Sequence, residues 1–378
     1  MSTTETPPIY AQFGIKPVVN AMGNVTLLGG SSYTPAVQAA LEASNTIYAP
    51  MEEVLFKTGA AIADMLNAES AYVTSGCYAA LVLGIAAIMT GDDPARIAQL
   101  PDSTGMKNEF LIQKRMRYHY DRCITAAGGK MVEVGDLDGC TVAQMEAAIG
   151  PNTAGILFFA RGASTPNTLS LADVVGVAQR NNIRVIVDAA GEVYPLEHMT
   201  SLPRSGADLI CFGAKYVGSG HSTGILCGNR ELVQAAHRNN FIGYEAYVNR
   251  AMGRGYKTDR QEIIATAVAL REWFDMDHEE RLQSQAARIQ TILDGLAGLP
   301  HVTAQNVWDE ENYAWMRLRI DLDEAALGKS AADVAAELKA GDPSIWVRTE
   351  GDHIVVVPHT LGEGETELVR DRLRAVLA

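Results

Sequence analysis

The sequence predicts an α/β protein: a mostly parallel central sheet with helices on both faces, followed by a small C-terminal α+β domain. Three observations predict it. Short apolar runs such as Gly155–Phe159, Val185–Val187 and Leu209–Phe212 recur between longer helical stretches. These runs are apolar at successive positions rather than alternate ones, the pattern of strands buried on both faces. Strands that alternate with helices are joined by crossovers, which produce parallel sheets. From about residue 278 the pattern changes to strand, helix, hairpin, helix.

In chain order, residues 1–12 are expected to form a tail. Val18-Val19-Asn20-Ala21-Met22-Gly23 reads as a short strand entering a turn, and Thr26–Ser32 as a Gly/Ser loop. Thr34-Pro35 starts a helix, with a capping hydroxyl before a proline at the first helical position. A helix is expected over Met51–Leu66, where Val54, Ala61, Ile62 and Met65 fit a 3.6-residue stripe. Ala71–Thr74 is a strand, Ser75-Gly76-Cys77 its turn, and Tyr78–Thr90 an almost wholly apolar helix. Residues 92–108 read as a surface loop. Glu109–Gln113, Lys130–Val134, Gly155–Phe159 and Val185–Val187 are strands. Thr141–Ile149 and Leu171–Asn181 are helices, the second capped by Asn182. Glu231–Arg238 is helical, Gly243–Lys257 loop-like and basic, and Arg260–Asp275 and Glu279–Ala297 are helices. Trp315–Ile320 alternates like a half-exposed strand, and Ala331–Lys339 is a helix. Ile345–Arg348 and His353–Val357 form a hairpin across Glu350-Gly351-Asp352, and Glu365–Leu377 closes the chain. This gives an N-terminal arm and loop over 1–50, a large domain over 51–277 and a small domain over 278–378.

Composition narrows the function classes. With 31 basic and 45 acidic residues the net charge is −14, and such a surface repels phosphate backbones, against a nucleic-acid partner. Five cysteines without a C-x-x-C pair suggest neither a disulfide framework nor a zinc site. The N-terminus has no charged segment followed by an apolar one, and the apolar stretch Ala79–Met89 is too short to span a bilayer. The expected compartment is the cytoplasm, with no membrane partner and no metal.

Three polar groups fall at expected strand ends: Thr74-Ser75, Asp188 and Lys215. Ligands of open α/β sheets lie at the carboxyl ends of strands. Ser75, Gly76 and Cys77 precede an apolar helix whose free N–H groups and dipole suit an anion. An apolar strand ending in Asp, then one ending in Lys, suits pyridoxal 5′-phosphate (PLP): the Asp pairs with the ring nitrogen and the Lys amine condenses with the aldehyde. Ser222 and Thr223 offer further donors for the phosphate, and Arg348 a cation for the substrate carboxylate. Taken singly, each has a plainer reading: Asp188 as a turn cap, Lys215 as a solvated lysine, Arg348 as a hairpin arginine. Glu192, His221 and His359 are acid/base candidates whose plainer reading is structural. The basic and aromatic run Lys114–Asp121 and the segment Arg254–Lys257 are where a substrate would be distinguished, although a basic cluster is more often a solvated or subunit-contact surface.

From about Gly14 to Leu373 the chain resembles the selenocysteine-synthase-like branch of fold type I PLP enzymes. Within that branch it is most similar to the D-glucosaminate-6-phosphate ammonia-lyase group. The resemblance rests on Val19–Gly23 with Gly29-Gly30-Ser31, Val73-Thr74-Ser75-Gly76, Val187-Asp188-Ala189-Ala190, and Gly213-Ala214-Lys215 with Ser222-Thr223-Gly224. Gly253–Lys257 and Trp346-Val347-Arg348 with His359-Thr360-Leu361 add to it. It implies Lys215 as the PLP lysine and Asp188 as the ring-nitrogen partner. It also implies Ser75, Gly76 and Cys77 at the phosphate and Arg348 facing the substrate. Ala190 and His119 join the cofactor set, and Asn20, Arg254 and Lys257 the substrate set. Met116, Tyr118 and His119 are alternatives for the residue over the ring. The resemblance further implies a homo-oligomer, at least a dimer, with sites at subunit interfaces, where Ser222, Thr223, Arg254 and Lys257 would serve a neighbour. Gly213-Ala214 stands where the family more often has a Gly pair, and Gly220-His221 departs from its usual Pro-Gln; the tRNA-handling N-terminal domain of true selenocysteine synthases is expected to be absent, and that function with it. The expected activity is a PLP-dependent lyase that eliminates a β-substituent such as hydroxyl from an amino acid, giving a 2-oxo acid and ammonia. Aldolase, racemase or aminotransferase chemistry on a small amino acid is the alternative within PLP enzymes. A non-catalytic PLP-fold binding module is the alternative outside them.

Overall fold

The computed structural model describes residues 7–160, 165–247, 249–308 and 315–378. Its strands are β1 Val18–Asn20, β2 Ser70–Thr74, β3 Glu109–Gln113, β4 Lys130–Val134, β5 Thr153–Phe159, β6 Arg184–Asp188, β7 Leu209–Gly213, β8 Gly224–Gly228, β9 Val302–Trp308, β10 Met316–Leu322, β11 Ser344–Trp346, β12 Arg348–Glu350 and β13 His353–Val356. The chain forms two compact units, one of Ser32–Asp275 and one of Met1–Ser31 with Met276–Ala378.

The larger unit is built on a seven-stranded sheet in the order β2-β8-β7-β6-β5-β3-β4. The pairs β3–β4, β3–β5, β5–β6 and β6–β7 are parallel, while β8 runs against both of its neighbours. Every residue of β7 and β8 is buried, so both faces of the sheet centre are covered. The Cys77–Thr90 helix is apolar all round because it is a core helix, with eleven of its residues buried. It crosses the sheet closely at Gly84, where a Cβ would lie 2.6 Å from Ile186 Cδ1. The Met51–Leu66 helix ends at Asn67 and the Leu171–Asn181 helix at Asn182, both in the left-handed conformation that asparagine tolerates. Thr34 accepts a hydrogen bond from Val37 N–H and caps the Pro35–Asn45 helix, as its sequence suggests.

In the smaller unit, β9, β10, β12 and β13 form an antiparallel sheet in the order β12-β13-β10-β9. Its core gathers Ile289, Ile292, Leu318, Ile320, Ile354 and Leu373. The N-terminal strand belongs to this unit: β1 pairs in parallel with β11, Val19 opposite Ile345.

Four expectations are corrected. Residues 92–108 contain a helix, Pro94–Gln99, because Asp93 caps it through Ala95 N–H and Arg96 N–H and proline occupies its first turn. The stretch expected to be loop-like from Gly243 begins inside a helix, Phe241–Ala246, capped by Asn240. The expected hairpin is confined to β12 and β13, because Ser344–Trp346 pairs with β1 instead. Within the expected tail, Pro8–Gln12 is one short helix with no buried residue, and residues 1–6 lie outside the described residues. Among the described residues no helix is long and apolar enough to cross a membrane.

Candidate active site

Register gathers the expected groups at one edge of the large sheet. Thr74 and Gly213 both pair with Gly224, and Asp188 pairs with Cys211. The ends of β2, β6 and β7 and the start of β8 therefore meet at the same edge.

Asp188 ends β6 and is 3% exposed. Its Oδ1 accepts the Ala190 N–H at 3.1 Å and lies 3.6 Å from the Cys77 sulfur, whose single hydrogen is shared with a nearer acceptor, Cys211 O at 3.3 Å; its Oδ2 accepts the Tyr118 hydroxyl at 2.6 Å. Burial pushes the carboxyl pKa up, and the bonds from Tyr118, Ala190 and Cys77 only partly offset it. Among the described residues no cationic side chain pairs with Asp188. A buried carboxylate surrounded by neutral donors lacks a positive partner, and a protonated pyridine ring supplies one.

Lys215 lies in the turn Ala214–Val217 that follows β7, half-buried, with Nζ 5.2 Å from the centre of the Tyr216 ring. That turn is tied to its neighbours by the backbone. Gly213 N–H donates to Ala190 O at 2.9 Å and Ala214 N–H to Thr223 O at 3.0 Å. The lysine is thereby held against the loop that follows Asp188 and the loop that precedes β8. Burial and the Lys215 charge push the His221 pKa down.

The anion seat begins where β2 ends. Thr74 Oγ1 donates to Gly76 O at 3.0 Å, and Gly76 takes φ +99° before the Cys77–Thr90 helix. No side chain caps this helix start, so its first N–H groups face the turn uncapped. The turn is pressed against β8: a Cβ on Gly224 would lie 2.4 Å from the Gly76 carbonyl carbon and 2.5 Å from Cys77 N. Gly224→Ala is therefore expected to lower stability by about 1–3 kcal/mol and to weaken PLP binding. Urea unfolding of the apo-protein and a cofactor titration measure the two effects. Carboxylate, lysine and uncapped helix start match the three chemical groups of PLP: its ring nitrogen, aldehyde and phosphate.

The remaining candidates divide. Of Met116, Tyr118 and His119, only Tyr118 reaches Asp188; Met116 is buried, with its sulfur taking Gln113 Nε2, and His119 is exposed. Thr223 is buried, with its hydroxyl spent on Gly220 O and Ser219, whereas Ser222 is exposed and donates to Glu262 at 3.0 Å. Arg254 pairs with Glu245 at 2.7 Å over the Tyr244 ring, and Lys257 is exposed. Glu192 is committed to His198 at 3.0 Å. In the smaller unit, Asn20 Oδ1 accepts Met22 N–H and its amide donates to Gly23 O, while Arg348 Nε donates to Met22 O at 2.6 Å. His359 lies near Arg348, Arg281 and Arg288; burial and these cations push its pKa down to about 3, so it is neutral. Sequence reasoning missed the grip of Tyr118 and Cys77 on Asp188; the one signal was an aromatic residue in the segment after β3.

Fold and site together define a fold type I PLP-dependent enzyme. No family model matches the sequence. The chain is 31% identical over 379 residues to D-glucosaminate-6-phosphate ammonia lyase of Salmonella typhimurium, covering 98% of both proteins. It is 29% identical to 5′-C-glycyluridine monooxygenase-decarboxylase of a Streptomyces species, over 97% of this chain and 92% of that one. It is 24% identical to L-seryl-tRNA(Sec) selenium transferase of Moorella thermoacetica, over 96% of this chain and 82% of that one. A solved D-glucosaminate-6-phosphate ammonia-lyase superposes with a TM-score of 0.85 at 30% identity, covering 99% of each chain. A variant serine palmitoyltransferase from S. paucimobilis with a bound PLP–myriocin aldimine shares the fold, with a TM-score of 0.59 at 14% identity, covering 95% of this chain and 87% of that one. The chain belongs to the selenocysteine-synthase-like family of PLP-dependent enzymes that includes D-glucosaminate-6-phosphate ammonia-lyase.

Proposed function

We propose that the chain is a PLP-dependent ammonia-lyase acting on an amino acid with a β-hydroxyl or similar β-substituent, releasing a 2-oxo acid and ammonia. The observation that carries this reading is the buried Asp188, with no cationic partner among the described residues, at the same sheet edge as Lys215. PLP, when bound, supplies an electron sink for the pair left at Cα. Asp188 holds positive charge at the ring nitrogen, and the uncapped helix start with Ser75, Gly76 and Cys77 holds the phosphate. The Lys215 amine takes the Cα proton once it is free of the cofactor. Water then leaves across the Cα–Cβ bond and re-enters as ammonia is released, so the reaction balances without an oxidant. In this reading Arg348 takes the substrate carboxylate, with Asn20 fixing the turn that Arg348 grips. Arg254 and Lys257 offer charge to a distal anion.

The chain is further assigned to the cytoplasm, in keeping with its five unpaired cysteines. It is assigned as a homo-oligomer, at least a dimer, with active sites at subunit interfaces to which the exposed Ser222 contributes; Thr223, 1% exposed with its hydroxyl bonded within its own chain, does not reach a neighbour. Exposed aromatic residues support association: Tyr48 is 94% and Tyr247 51% exposed. A screen of cofactor-loaded protein against β-hydroxy amino acids tests the reaction. It starts with D-glucosaminate-6-phosphate, the compound in the Salmonella relative's name. Ammonia and a 2-oxo acid in equal amounts are expected. Aldehyde with glycine, or inverted stereochemistry without oxo acid, contradicts the assignment.

A further inference from the structure

We propose that Tyr118 is a positioning residue for the cofactor, acting through Asp188: its hydroxyl holds the Asp188 carboxylate charged and oriented, so that the ring nitrogen keeps its proton. The inference rests on the PLP reading above.

The carboxylate geometry carries it. A carboxylate accepts in about four directions. At Asp188, Ala190 N–H takes Oδ1, the Cys77 sulfur packs against that oxygen at 3.6 Å, and Tyr118 takes Oδ2 at 2.6 Å. Of the two directions that remain, the one on Oδ1 is crowded by the Cys77 sulfur, and the other is on Oδ2, the oxygen that Tyr118 already fixes. A ring nitrogen arriving there shares its acceptor with the phenol.

Tyr118 is itself fixed from two sides. Its ring stacks on Phe159 with centres 4.0 Å apart and planes 5° from parallel. Phe159 is the register partner of Asp188 on the adjacent strand, so the stack sets the phenol beside the carboxylate. Its backbone N–H donates to Asp121 Oδ2 at 3.2 Å, and Asp121 is 1% exposed and paired with Arg117. The hydroxyl also remains a donor, because burial and the Asp188 charge push the phenol pKa far up.

The chemical consequence concerns one proton. Between a buried carboxylate and a pyridine nitrogen, that proton can reside on either partner, as an ion pair or as two neutral groups. A strong donor on the carboxylate favours the ion pair. Without the phenol, burial favours a protonated Asp188 beside a neutral ring, which draws electrons less well.

The test uses wild type, Tyr118→Phe and Phe159→Leu, each loaded with PLP labelled with nitrogen-15 at the ring. Phe159→Leu keeps the hydroxyl and removes the stack that places it. Wild type is expected to show a protonated ring nitrogen at neutral pH. Tyr118→Phe is expected to move the nitrogen signal toward the unprotonated position and to lower turnover roughly 10- to 100-fold. Phe159→Leu is expected to move it the same way by less, and it carries the test if Tyr118→Phe does not fold. Loaded variants whose nitrogen signal matches wild type overturn the inference and leave Tyr118 as a wall of the site. Wild type that takes up no PLP, seen as no absorbance band, overturns the cofactor reading itself and this inference with it.

Discussion

Lys215→Ala removes the absorbance band near ~420 nm from PLP-loaded protein and lowers turnover by at least about 10²–10⁴-fold. Both effects arise from one amine. Lys215 follows a fully buried strand and lies in a turn tied by backbone hydrogen bonds to Ala190 and Thr223, so its Cα has little freedom. Among the described residues one other lysine follows a strand of the large sheet directly, Lys114 after β3, but it is exposed and pairs with Glu133 at 3.8 Å. Alanine therefore removes the covalent anchor and the group that moves the Cα proton together. Lys215→Arg keeps a cation but not a nucleophile at neutral pH, because a guanidinium does not lose its proton. It is expected to lose the band as well. Absorbance spectra and steady-state rates measure these outcomes, with circular dichroism to show that the fold is retained.

The second large effect is at Asp188. Asp188→Ala leaves a cationic ring nitrogen without its partner at a site only 3% exposed. Breaking a buried charge pair in this way costs about 3–5 kcal/mol, or roughly 10²–10⁴-fold in cofactor affinity and turnover combined. Asp188→Asn keeps the size of the side chain and removes the charge. It is expected to retain more PLP than the alanine variant and still lose most of the turnover. Cofactor titration and steady-state kinetics separate the two losses. An Asp188→Ala enzyme with normal PLP affinity and rate would mean that the ring nitrogen lies elsewhere.

These two residues were legible in the sequence because each ends an apolar run, and an apolar run marks a strand wherever the chain places it. Helices with a clear stripe or cap were legible too: Met51–Leu66, Arg260–Asp275 and Glu365–Leu377 have the bounds that their sequences suggest. The Pro94–Gln99 helix carried its own cap and proline signal in Asp93-Pro94, but six residues are too few to show a period. Other features depend on parts of the chain far apart in sequence. The pairing of β1 with β11 joins residue 18 to residue 344, and neither three-residue strand announces a partner. The reversed strand β8 supplies Gly224 to the anion seat, yet its apolar run reads like its parallel neighbours. Tyr118 was one of three candidates in an aromatic and basic segment. Only the stack on Phe159 and the Asp188 bond, reaching 70 residues along the chain, separate it from Met116 and His119.

The central claim is that Lys215 carries the cofactor, and the most direct measurement is chemical. PLP-loaded protein is reduced with borohydride, digested, and its peptides are examined by mass spectrometry. The phosphopyridoxyl group is expected on the peptide containing Lys215 and on no other. Its appearance on a different lysine, or its absence from every peptide of fully loaded protein, would contradict the assignment.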